Sequence, residues 1–295
     1  MYGYYSLEPW KAVTLISKFD PWHSTLCTCP SKLTFNPYTG CDHNCVYCYA
    51  SNYIPDFSNC RPKKDLLPRL KNETQKLKGQ MVSIANSSDP YPNLEAKVGL
   101  TRRCLEILFR QDCKVQIITK SDLVVRDADL LEKTRSMVSI TITTDNDDVA
   151  KRIEPNAPPP SNRLKTVETL IKKGIPVSVR VDPIIPFLND EPESLIRAVA
   201  ALGVKHVTSS TLKIRGGSWK NLSTALPEIA QKLGSLFFDK GEKVGGYIYL
   251  PRDSRIGMMK TVSELAVKYH VRFGTCREGL AHLNTAACDA SWLLR

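Results

Sequence analysis

The stretch IPVSVRVDP, residues 175–183, alternates strictly. Val177, Val179 and Val181 fall on one face and Ser178, Arg180 and Asp182 on the other, which is the period-two pattern of a β-strand. VSITITTD, residues 138–145, repeats it, opposing Val138, Ile140 and Ile142 to Ser139, Thr141, Thr143 and Asp145. Helix-patterned segments separate these strands, and such helices cover the apolar face of a sheet. The polar rows therefore turn inward, around a cavity that holds something polar rather than the aliphatic layers of a filled barrel.

Working outward, KLTFNPY (32–38), MVSIANS (81–87), KVQIITK (114–120), MVSITITT (137–144), IPVSVRVDP (175–183) and VKHVTSS (204–210) read as strands. LTRRCLEILFRQ (100–111), DADLLEKTR (127–135), SNRLKTVETLIKKG (161–174) and EPESLIRAVAALG (191–203) read as helices, and EPNAPPPS (154–161) as a rigid loop whose Ser161 caps the next helix. This alternation predicts an α/β fold, a partial (β/α)6 TIM-like barrel built by right-handed crossovers. The expected organisation is an N-terminal extension over 1–31, the barrel over 32–210 and a C-terminal extension over 211–295 that covers the barrel opening.

The chain has 295 residues, 42% hydrophobic and 24% charged, within the range of globular proteins and long enough for a sizeable core. No apolar run approaches a membrane span, and the start MYGYYSLEPWK lacks a signal-peptide pattern, so the expectation is a cytoplasmic protein. A formal charge of +11 favours a polyanionic partner, nucleic acid first.

NPYTGCDHNCVYCYA, residues 36–50, closes the first strand and gathers Cys41, Cys45 and Cys48 in one loop. Loops at strand ends are where this architecture collects its chemistry. Three thiolates at C-x3-C-x2-C spacing can hold three irons of a cubane cluster and leave the fourth open to an external ligand. Two other readings stand beside this one: a zinc site completed by His43, which lies between the cysteines, and buried structural thiols.

GCDHNCVYCYA resembles the signature of the radical S-adenosylmethionine family, and FNPYTGCDHNCVYCYA is similar to the branch related to spore photoproduct lyase. Further similar segments follow in the same order: SSDPYPNLEAKVGLTR (87–102), IITKSDLVVRDADLLE (117–132), SITITT (139–144), RIEPNAPPPSNRL (152–164) and GIPVSVRVDPIIPFLND (174–190). The resemblance implies a [4Fe–4S] cluster on Cys41, Cys45 and Cys48 and S-adenosyl-L-methionine on the open iron. It also implies reductive cleavage of that cofactor to methionine and a 5'-deoxyadenosyl radical, with an electron donor such as ferredoxin or flavodoxin. It further implies that Tyr47 packs on the adenine and that Ser87, Ser88 and Asp89 meet the methionine amino group. Lys120 and Arg180 become candidates for the carboxylate, and Ser121, Thr143 and Thr144 for further cofactor contacts.

One departure bears on the substrate. Spore photoproduct lyase carries a hydrogen-donating cysteine just before its Ser-Asp pair, and alignment on SDP places Asn86 there. An amide N–H is too strong a bond to serve, so thymine-dimer repair is not expected unless another thiol reaches the site. The expected function is radical chemistry on a nucleic acid base, in DNA or tRNA, as repair or modification. The rivals are a radical enzyme acting on a protein or small molecule and a non-enzymatic iron–sulfur or zinc protein that binds nucleic acid. Among the other cysteines, Cys104 and Cys113 read as core and Cys60 has no near partner in sequence. Cys27, Cys29, Cys276 and Cys288, from the two chain ends, read as reduced or paired thiols in preference to a second iron–sulfur cluster or a zinc site that ties the termini together. KIRGGSWK (213–220) offers Lys213, Arg215 and Lys220 for phosphates, a flexible Gly216-Gly217 turn and Trp219 for base stacking.

Overall fold

A computed structural model of the chain describes residues 14–19, 24–84 and 86–294. Residues 1–13 and 20–23, much of the expected N-terminal extension, lie outside the described residues. Parallel strands form the sheet: β1 (Leu33–Phe35), β2 (Met81–Ile84), β3 (Lys114–Thr119), β4 (Ser136–Thr141), β5 (Val177–Ile184), β6 (His206–Thr211) and β7 (Arg272–Thr275), paired in that order. Ser17–Lys18 adds a short antiparallel strand on the outer edge of β1. The six expected strands are present, and β7 is a seventh from within 211–295. The extension therefore continues the sheet, in register with β6 from Arg272 opposite His206 to Thr275 opposite Ser209.

The alternation decides the two faces as expected. Val177, Val179, Val181, Val138 and Ile140 are buried in the main apolar core, under helices that include Leu100–Arg110, Pro160–Lys172, Glu193–Ala201 and Arg252–Lys268. The opposite row turns to the interior, where Ser178 Oγ meets His206 Nδ1 at 3.0 Å and, one pleat along, Arg180 Nη2 donates to Asp182 at 2.6 Å. The floor of this interior is filled by the C-terminal segment: Ala290 and Leu294 pack on Met137, Thr208 Oγ1 donates to the Cys288 carbonyl at 2.7 Å, and Gln116 Nε2 to the Asp289 carbonyl at 2.6 Å. Gly274 in β7 lets that segment approach, since a Cβ there would lie 2.5 Å from Cys288 Cα.

Three local expectations are corrected. Ser161 is not the cap of its helix. That position belongs to Pro159, with Pro160 pre-setting the first turn, while Ser161 Oγ donates to Asp147 at 2.8 Å. DADLLEKTR forms one α-turn, Ala128–Leu131, after a 3-10 turn over Asp122–Asp127, because Ser121 Oγ takes the Leu123 N–H and starts the tighter turn earlier. Gly216 and Gly217 do not form a flexible turn but begin the helix Gly216–Ala225, and Trp219 packs edge-on against Phe237 and Phe238 instead of standing ready to stack.

Candidate active site

The cysteine loop takes its shape from backbone constraints. Gly40 has φ +80°, and a Cβ there would lie 2.5 Å from the Phe57 carbonyl, so this turn requires glycine. Cys41 N–H then donates to that carbonyl at 2.8 Å, Asn44 takes φ 52°, which asparagine tolerates, and Val46 N–H donates to Ile153 O at 2.9 Å. Cys41, Cys45 and Cys48 emerge on the wall of one cavity of about 400 Å³. Cys41 and Cys48 border a small apolar cluster with Ala50, Phe57 and Ile54. Burial pushes all three thiols up, Cys45 to about 12.

Of the twelve residues singled out from sequence, nine line this cavity: the three cysteines with Tyr47, Ser87, Ser88, Asp89, Lys120 and Arg180. Ser121, Thr143 and Thr144 do not. Ser121 caps its turn, Thr144 Oγ1 accepts from Asn146 N–H at 3.2 Å, and Thr143 Oγ1 donates to Glu154 at 2.5 Å. Several of the cavity residues also have occupied side chains, and Ser88 Oγ donates to the Tyr38 carbonyl at 3.0 Å. Asp89 Oδ1 accepts from Thr119 Oγ1 at 2.6 Å and Tyr91 N–H at 2.9 Å, and Oδ2 from Lys120 N–H at 2.8 Å, with His43 Nδ1 at 3.6 Å. Asp89 thus ties together the ends of β2 and β3 and the cysteine loop. Arg180 is neutralised by Asp182 and also engages the Cys276 sulfur.

Glu154 was missed by the sequence reading, which took EPNAPPPS as a loop. It is almost fully buried, its carboxylate meets Arg163 Nη1 at 2.5 Å and Lys120 Nζ at 3.9 Å, and it accepts from the hydroxyls of Thr143 and Tyr47. Burial would raise its carboxyl, but Arg163, Lys120 and the two hydroxyls outweigh that and hold it at about 2. Lys120 also stands 5.6 Å from the centre of the Tyr47 ring. A signal existed: Arg163 lies on the same helical stripe as Val167 and Leu170, and a guanidinium in an apolar stripe requires a buried carboxylate.

The C-terminal part adds Lys213, Tyr247, Cys276, Arg277 and Cys288 to the wall. The guanidinium groups of Arg215 and Arg277 lie 4.1 and 4.7 Å from the centre of the Tyr247 ring, and Lys213 Nζ pairs with Glu278 at 2.6 Å. Lys213 and Arg215 are therefore engaged within the fold.

The sequence profile of the Radical SAM superfamily matches residues 35–199, more than half of the chain, and the chain belongs to that superfamily of enzymes. An uncharacterized protein of Methanocaldococcus jannaschii is 36% identical over 167 residues, which span 54% of this chain and 63%, less than two thirds, of that protein. One of Mycobacterium tuberculosis is 26% identical over 266 residues, 82% of this chain and 76% of its own. Among solved structures, a spore photoproduct lyase mutant with bound AdoMet and dinucleoside spore photoproduct has a TM-score of 0.63 at 15% identity, covering 80% of this chain and 72% of that one. Streptococcus suis SuiB bound to S-adenosylmethionine has a TM-score of 0.55 at 14% identity, covering 82% of this chain and 49% of that one. At these identities the likeness is one of fold, and it agrees with a partial barrel.

The superfamily's cofactors are a [4Fe–4S] cluster and S-adenosyl-L-methionine. The donor set fits: three thiols from one loop face one cavity. Among the described residues no three His, Cys, Asp or Glu side chains converge closely enough to hold a single metal ion. A cluster asks for less convergence, because each thiolate binds its own iron. No described helix is long and apolar enough to cross a membrane.

Proposed function

We propose that Cys41, Cys45 and Cys48 hold the cluster and that the cavity beside them takes S-adenosyl-L-methionine and presents a nucleic acid base, in DNA or tRNA, for repair or modification. When bound and reduced, the cluster supplies the electron that cleaves the sulfonium and yields a radical able to abstract hydrogen. This chain's residues shape the site. Asp89 fixes the loop ends, Glu154 orients Tyr47 and Lys120, and Tyr47, Ser87 and Ser88 face the space a cofactor would fill. Ser121, Thr143 and Thr144 have their hydroxyls in local bonds, which favours a positioning role for them over direct contact.

The observation that carries the substrate reading is the charge of the wall. Lys18, Lys32, Lys120, Arg180, Lys213 and Arg277 line it; Asp289, Glu154, Asp182 and Glu278 pair with four of them, and with Asp89 counted the six cations still exceed the carboxylates that meet them, in a chain of net charge +11. Such a surface attracts a phosphodiester backbone. Asn86 also lines the cavity, and its amide donates to Thr34 Oγ1, which supports a substrate other than the thymine dimer. The test is affinity for tRNA and duplex DNA across a salt series, with dinucleotide spore photoproduct as a turnover control. A steep fall in affinity with salt for one polymer is expected. Salt-insensitive or absent binding to both moves the substrate to protein or small molecule, and rapid dimer repair overturns the reading of Asn86.

A further inference from the structure

The cavity wall carries a second group of thiols that the radical chemistry does not use. Cys29 and Cys288 both line it, and their sulfurs lie 3.3 Å apart although the residues are 259 positions apart in sequence. Both ends of the contact are held. Asp289, next to Cys288, accepts from Lys32 Nζ at 2.7 Å, and its carbonyl accepts from Gln116. Thr208 holds the Cys288 carbonyl, and Gly274 has no side chain where Cys288 presses on β7. Cys27 contacts Cys29, while Cys276 is turned to Arg180. Two of the four terminal cysteines thus stand as a pair, and among the described residues the four do not close on one ion.

We propose that Cys29 and Cys288 form a redox-active dithiol in the cavity wall, which closes to an intramolecular disulfide by exchange with a small disulfide. In the first step one thiol, as its thiolate, attacks a sulfur of the small disulfide, releases one thiol and leaves a mixed disulfide. In the second step the other cysteine attacks the protein sulfur and releases the second thiol. The two cysteines lose two electrons and two protons, and the small disulfide gains both. The geometry favours the second step, because the sulfurs need only close from 3.3 Å to about 2.05 Å. Closure pins the segment before β1 to the segment after β7 across the barrel floor. Cys29 is a slow nucleophile: the Cys27 contact lowers its pKa, but the Cys288 contact and burial outweigh that and raise it to about 12. Mildly alkaline conditions are therefore suitable for the assay.

The test uses the full chain with its cluster reconstituted, incubated without oxygen with cystamine, quenched in acid, alkylated and digested without reduction. The expected product is a Cys29–Cys288 cross-linked peptide with two fewer alkylated thiols. A higher urea midpoint is expected for the cross-linked protein, because a long loop is closed in its unfolded state. Cys288→Ser combined with Cys27→Ser, which removes the other thiol in contact with Cys29, should instead stop at a mixed disulfide on Cys29. Full alkylation of both residues in the wild type after incubation, or a cross-link from Cys29 to Cys27 in place of Cys288, overturns the proposal. The assay contains no S-adenosyl-L-methionine or nucleic acid, so it stands or falls independently of the function proposed above.

Discussion

Replacing Glu154 by Ala removes a carboxylate that stands almost fully buried between Arg163 and Lys120. The Arg163 side chain is only 1% exposed, so the variant leaves a guanidinium with little water to replace its partner. Breaking one side of a buried ion pair costs about 3–5 kcal/mol. A second route gives a similar size. The carboxyl moves from 4.5 to about 2 on folding, and a shift of that size corresponds to about 3 kcal/mol. The folded value is the lower one, so this stabilisation is present in full above pH 4.5 and fades as pH falls through 2. Urea unfolding of wild type and Glu154→Ala, followed by circular dichroism, should therefore show a loss of about 3–5 kcal/mol at pH 7. The gap should narrow progressively below pH 4.5. Glu154→Gln keeps an acceptor for Tyr47 and Thr143 and should cost less, about 1.5–3 kcal/mol. A loss under about 1 kcal/mol at pH 7, the level of an exposed pair, or a gap that does not narrow in acid, would refute the reasoning.

Burial holds His206 as the neutral ring and lowers its pKa from 6.5 to about 4 despite the nearby Asp289. The unfolded chain binds that proton first, so stability should fall as pH drops from 6.5 toward 4, by about 3 kcal/mol in the limit. His206→Gln should flatten that window and leave the lower one of Glu154 in place; an unchanged slope would contradict the assignment. Gly274→Ala sets a Cβ 2.5 Å from Cys288 Cα and should destabilise by about 1–3 kcal/mol. It should also make Cys29 and Cys288 easier to alkylate, whereas unchanged stability and labelling would show that the segment yields freely. Reconstituted protein should hold about four irons per chain, and changing Cys27, Cys29, Cys276 and Cys288 together should leave that number unaltered. About eight irons, half of them lost in that variant, would instead mark a second cluster.

The alternation in residues 138–145 and 175–183 made the barrel and its polar interior legible, because a period of two assigns each side chain to a face without tertiary knowledge. The cysteine loop was legible for a similar reason, since all three thiols belong to one short segment. The missing elements were contributed from a distance. Strand β7 is the four-residue RFGT, too short to register as a strand until β6 offers it an edge. Glu154 became visible only when the helix carrying Arg163 packed beside it. Trp219 looked available because its neighbours Phe237 and Phe238 lie on the next helix. The Cys29–Cys288 contact joins opposite ends of the chain, and no local spacing encodes it.

The central claim is that Cys41, Cys45 and Cys48 make this chain a radical S-adenosylmethionine enzyme. It is tested most directly by reconstituting the wild type and the three single Ala variants without oxygen, reducing them with dithionite in the presence of S-adenosyl-L-methionine, and quantifying 5'-deoxyadenosine and methionine. The wild type should release both in equal amounts, and each variant should release neither. Undiminished cleavage by the variants, or a wild type that takes up iron and releases no 5'-deoxyadenosine, would contradict the account.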